Sequence, residues 1–241
     1  MATVTHGNQL VERVLARVGE RYADSASVVV YGSLARGDWR PGASDVNLLI
    51  VVDQVSMADL RSLTPEYRGF EAERSAPPFL ITRAEWARAA DAFPIEITDM
   101  RQAYRVLRGS DPLAGLTVRP ADLRHALEAE FRGKLLRLRA DYALYADQPR
   151  LLAAVVGASI GSLRVLFRGL MALTGNDAAP DDARLATLVA QVLGVGEATV
   201  ADLLSRRRQT AWDCPAALFE AYLGLVEQAV RVVDTFTPGA S

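Results

Sequence analysis

Residues 28–52, VVVYGSLARGDWRPGASDVNLLIVV, constrain this chain more than any other stretch. A short apolar run from Val28 to Tyr31 stops at Gly32, and a second run, Val46 to Val52, is broken only by Asn47. Apolar runs of this length, bounded by Gly and Pro, read as buried strands. Between them Ser33 opens a turn of helix, and Asp45 stands at the start of the second strand. Gly32 carries no side chain, so an anion can approach its backbone closely. The amide and hydroxyl of Ser33 then lie at a helix N-terminus, where unpaired N–H groups and the dipole favour negative charge. Positions 45 and 47 are two apart, so on a strand both side chains leave the same face. Two acids at such positions hold a pair of cations against a phosphate chain. This chain has one acid and one amide there, with Arg36 and Arg40 in the connecting segment.

The two halves of the chain read differently. Up to about residue 118, helical and strand patterns alternate. Leu10, Val11, Val14, Leu15, Val18 and Tyr22 share one helical face. Pro78 to Thr82 is a third strand, and Thr82 with Glu85 forms a T-x-x-E capping box opening a helix through about Asp91. Pro94 to Met100 reads as a further strand and Tyr104 to Leu107 as a short edge strand, whereas Ser56 to Ser75 reads as a short helix and a loop. From Pro120 onward only helical periodicity appears, over 120–145, 149–173, 181–193, 197–209 and 215–236. The expectation is an α/β domain with a small mixed sheet over residues 1–118, followed by an all-α helical bundle over 119–241.

The motif resembles the signature of the DNA polymerase beta-type nucleotidyltransferase superfamily. That signature runs G-S, a segment often containing A-x-G, then D-x-D on the next strand. Gly32, Ser33, Ala35, Gly37, Ser44 and Asp45 match it, and Asn47 stands at the second acidic position. The two-domain layout is similar to that of the aminoglycoside nucleotidyltransferases. The motif covers about residues 28 to 53, and a looser likeness extends through Phe93-Pro94-Ile95-Glu96 and Val106-Leu107-Arg108-Gly109. The resemblance implies transfer of a nucleoside monophosphate from a Mg²⁺-bound triphosphate, ATP foremost, to a hydroxyl of a small acceptor. Gly32, Ser33, Arg36 and Arg40 would hold the nucleotide, and Asp45 and Asn47 the metal. A third carboxylate is expected on a later strand. Glu96, which would complete the metal ligands beside Asp45 and Asn47 or deprotonate the acceptor, is the first choice, because its side chain would face opposite to Ile95 and Ile97, and Asp99, of the other parity, is the fallback.

Asn47 opens two readings. A carboxamide lends one oxygen to Mg²⁺ but brings no charge and does not bridge two cations. Losing about 4 kcal/mol of transition-state stabilisation slows a reaction about 10³-fold. The chain is then either a weak or atypical transferase, or a catalytically degenerate relative that binds nucleotide or a protein partner in a regulatory role.

Composition narrows the partners. A net charge of -2 and pI near 5.8 provide no broad basic field, so long nucleic acid is not an expected partner. The lone Cys214 excludes an internal disulfide, and His6 and His125 are too few for a zinc site. The most apolar run, Leu151 to Leu163, falls short of the roughly 20 residues a bilayer requires, so it reads as a core helix. MATVTHGNQL lacks the pattern of a secretory signal, and the expected location is cytoplasmic. Lys134 is the chain's one lysine, beside Arg132, Arg137 and Arg139 on what reads as a solvated helix face. Trp39, close to the motif, either stacks on a base or acceptor or is buried against the helical domain.

Overall fold

A computed structural model describes residues 4–37, 39, 44–73, 75–176, 181–207, 209 and 211–237. Chain contacts divide it into two compact units, Met1–Phe93 with Ile97–Val118, and Pro94–Glu96 with Arg119–Ser241.

The first unit is built on a four-stranded mixed sheet. Helix α1 (Val4–Tyr22) and a 3-10 turn at Ala23–Ser25 lead into β1 (Ser27–Tyr31). A single turn, α2 (Ser33–Arg36), and a loop precede β2 (Asn47–Val52). Helices α3 (Met57–Ser62) and α4 (Thr64–Ala72) return the chain to β3 (Phe79–Thr82). Helices α5 (Arg83–Trp86) and α6 (Pro94–Gln102) then precede β4 (Tyr104–Arg108). The spatial order is β3-β2-β1-β4, with β1 antiparallel to both neighbours and β2 parallel to β3.

Both faces of this sheet are covered, which is why β1 and β2 read as unbroken apolar runs. Val28, Val30, Val46, Leu48, Ile50 and Val52 pack with the stripe Leu10, Val11, Val14 and Val18 of α1 and with Leu63 and Phe70. Val29, Leu49, Val51 and Ile81 point the other way, onto Trp86, Ile97, Met100 and Leu113. Each fully buried Leu or Ile contributes about 1.5–3 kcal/mol. A one-residue slip of β2 would exchange the two sets, so its register is strongly determined.

Three local expectations change. Pro94 to Met100 is helix α6, not a strand: Pro94 sits in the first turn, where its missing N–H costs nothing, and the Phe93 carbonyl accepts the Ile97 N–H at 3.0 Å. The alternation of Ile95 and Ile97 mimics a strand, yet the pair packed in the core beneath the sheet is Ile97 and Met100, three apart on one helical face. Ser56 to Ser75 holds two helices, since Ser56 and Asp59 form a capping box for α3 and Pro65 opens α4. The Thr82–Glu85 capping box is present, but α5 closes at Trp86 rather than near Asp91.

The second unit is helical: α7 (Pro120–Tyr145), α8 (Pro149–Leu173), α9 (Asp182–Leu193), α10 (Glu197–Ser205) and α11 (Ala216–Thr235). Helix α7 packs against α8 and α11, and α9 against α10. By length and composition α8 is apolar enough to cross a membrane. Its Val156, Ile160, Leu163, Phe167 and Leu170 are nonetheless buried in the bundle, as a core helix requires. Lys134 is buried rather than solvated; its Nζ donates to the Ser162 hydroxyl at 2.9 Å and the Ser159 carbonyl at 3.3 Å.

Candidate active site

The chain turns out of β1 at Gly32 with φ 72° and ψ -143°, a conformation side-chain-bearing residues rarely adopt. Its N–H donates to the Ala103 carbonyl at 2.9 Å, which fixes the strand end, and its carbonyl accepts the Arg36 N–H at 3.0 Å. Helix α2 is thus one turn long, closed by Gly37 in the left-handed region, whose N–H returns to the Ser33 carbonyl. The N–H groups of that first turn have no partner within the helix. Ser33 and Arg36 are both half-buried.

Asn47 faces this turn across the ladder. It pairs with Tyr31 in register, and its side-chain Nδ2 would lie 3.0 Å from a Cβ placed on Gly32. A side chain at position 32 would press on that amide. Asp45 is half-buried and lies two residues ahead of β2, just outside the strand. Between the two, Val46 is 1% exposed and anchored in the α1-side core.

A residue with no signature in the sequence holds this segment. Ser75 accepts the Val46 N–H on its Oγ at 3.2 Å, while its own N–H donates to the Phe70 carbonyl at 2.9 Å. The backbone between Asp45 and Asn47 is therefore tied to the end of α4 by a positioning residue far along the chain.

The structure brings Gly32, Ser33, Asp45 and Asn47 to one end of the sheet. Arg36 closes α2 beside them. Arg40 lies outside the described residues. Glu96 is exposed in the first turn of α6, in the short segment grouped with the helical unit, and Asp99 is half-buried in the first unit. On a helix these two acids, three apart, share a face. The strand parity expected to separate them does not apply. Trp39 is half-buried and packs in the first unit, its indole carbons 3.3 Å from a Cβ placed on Gly7 of α1.

Among the described residues no group of three His, Cys, Asp or Glu side chains converges on a metal. One carboxylate and one carboxamide oxygen suit a hard cation such as Mg²⁺, which keeps several waters and takes its remaining ligands from phosphate.

Comparison with known proteins agrees with this geometry. Residues 11–94 match the family model of the nucleotidyltransferase domain. A solved structure of spectinomycin adenyltransferase AAD(9) from Enterococcus faecialis, with ATP and spectinomycin, shares the fold at 13% identity and a TM-score of 0.56. The match covers 93% of this chain and 98% of that one. No curated protein matches the chain. The resemblance to the polymerase beta-type nucleotidyltransferases is thereby borne out, as is an α/β domain with a small mixed sheet followed by a helical one.

Proposed function

We propose that this chain, which matches the nucleotidyltransferase-domain model over residues 11–94, transfers a nucleoside monophosphate from ATP or another triphosphate to a hydroxyl of a small acceptor in the cytoplasm. The observation that carries the reading is the strained glycine at the end of β1, with Ser33 following it and Asp45 and Asn47 opposite. The ATP and spectinomycin named with the structural neighbour support the choice of nucleotide and of a small acceptor.

In this reading the first-turn amides of α2 and the Ser33 hydroxyl hold phosphate oxygens, with Arg36 and Arg40 adding charge. Asp45 and the Asn47 oxygen would hold Mg²⁺, which would neutralise charge on the phosphate chain. The acceptor oxygen forms a bond to the α-phosphorus as the bond to pyrophosphate breaks. The acceptor proton passes to Glu96 or Asp99, the two acids on one face of α6. Asp45 would bring the one full negative charge of this pair, and Asn47 a neutral oxygen. Residues 1–118 form the transfer domain and 119–241 the helical domain.

Asn47 itself favours the second reading, a nucleotide-binding relative without turnover that serves a regulatory role with a protein partner. Calorimetry of ATP with and without Mg²⁺, together with a pyrophosphate-release assay, separates the two for the natural chain and for Asn47→Asp. Mg²⁺-dependent binding with release by the natural chain supports transfer, and the carboxylate introduced by Asn47→Asp then raises the rate about 10²–10³-fold. Binding with release by the variant alone supports the second reading. Absence of binding in both proteins sinks the two together.

A further inference from the structure

Leu60 of α3, one face of α4 and the residues Ser75 and Pro77 line an open groove of about 500 Å³. It lies on the Val46 and Leu48 side of β2, away from Asn47. Leu60, Leu63, Tyr67 and Pro77 supply its apolar lining. Leu63 is 1% exposed, whereas Leu60 is 43% exposed. The Tyr67 ring is held by its hydroxyl, which donates to the Pro78 carbonyl at 3.1 Å.

Two charges of opposite sign flank this apolar surface. Arg68 and Glu71 both line the groove, three apart on α4. Oppositely charged residues at that spacing ordinarily pair with one another. Here neither has an ion-pair partner among the described residues. The remaining wall is Thr64 and Ser75, and the Ser75 Oγ accepts the Val46 N–H between Asp45 and Asn47.

We propose that this groove binds a free apolar α-amino acid and that the occupant regulates the transfer site through Ser75. Arg68 matches a carboxylate bidentately, Glu71 accepts from an ammonium, and the apolar lining takes the side chain. The groove lies within the size range of small-molecule sites. An occupant that steadies α4 also steadies Ser75, and with it the backbone carrying Asp45 and Asn47. The regulatory half rests on the transfer reading above, and the binding half does not.

The test is calorimetry of the full chain with L-leucine and L-phenylalanine, beside 4-methylpentanoate (no ammonium), 3-methylbutylamine (no carboxylate) and glycine (no side chain). Saturable binding of at least one of the two amino acids is expected, with each control weaker by about tenfold or more. Arg68→Ala and Glu71→Ala should each weaken binding by about tenfold at an unchanged urea midpoint. Hydrogen exchange at the Val46 amide should slow about threefold or more on binding. That slowing should disappear in Ser75→Ala, which still binds, and persist in Ser75→Thr, which keeps the hydroxyl. Failure of both amino acids to bind, or equally tight binding of a control, overturns the site. Binding that leaves Val46 exchange unchanged overturns the regulation. Absence of pyrophosphate release in every protein would count against transfer while the calorimetry and exchange results stand.

Discussion

A methyl group at position 32 would meet the Asn47 amide nitrogen at 3.0 Å and would have to occupy φ 72°. The left-handed conformation alone costs about 1–2 kcal/mol for a residue with a side chain. Gly32→Ala should therefore lower stability by about 2 kcal/mol and weaken ATP binding more than its stability loss explains, measured by urea unfolding and calorimetry. Lys134 gives a second residue-scale expectation. Burial, then the neighbouring Arg137, pushes its ammonium down to about 8, against 10.5 in the ordinary state. Between those values the unfolded chain binds more protons than the folded one, so stability rises with pH. The rise totals about 3 kcal/mol at most and is absent in Lys134→Met. Above pH 10 the curve turns down, because burial pushes Tyr67 and Tyr222 up to about 12 and the folded state then holds the extra protons. Urea midpoints across pH 7–11 check both limbs.

Helix α6 shows at the scale of an element what the sequence does and does not make legible. Gly32, Ser33, Asp45 and Asn47 are readable because they lie within one short stretch whose spacing is itself the signal. The acids of α6 are readable as chemistry but not as geometry. Ile95, Ile97 and the acids beside them fit a two-residue period, and only the packing of Ile97 and Met100 beneath β2 selects the helix. Ser75 is not readable, since its role arises from a hydrogen bond to a residue 29 positions away. Because α6 puts Glu96 and Asp99 on one face, single neutralisations discriminate them. Glu96→Gln or Asp99→Asn, whichever removes the proton acceptor, should lower kcat about 10²-fold with KM for ATP unchanged, and the other should change kcat less than about threefold. Equal small effects from both would remove α6 from the mechanism.

For the whole molecule, the recognisable family segment is shorter than the folding unit. Residues 11–94 carry the motif, but β4 completes the sheet beside β1, and Met100 and Leu113 complete the core beneath it. Trp86 also donates its indole N–H to the Pro112 carbonyl at 2.7 Å. A chain cut after residue 94 leaves β1 as an open edge and half the sheet uncovered. Residues 1–118 should show a cooperative urea transition, and residues 1–94 should show none.

The single lysine, folded into the helical bundle with 5% of its surface exposed, also sets how the protein meets reagents. Arginine supplies nearly all its positive charge, and arginine ignores acylating agents that attack amines. Acylation of a side-chain amine therefore has one target, reachable only when α7 parts from the Ser159 and Ser162 groups on α8. Its rate clocks the breathing of the bundle, so this chain carries its own built-in reporter of internal opening, without any introduced probe.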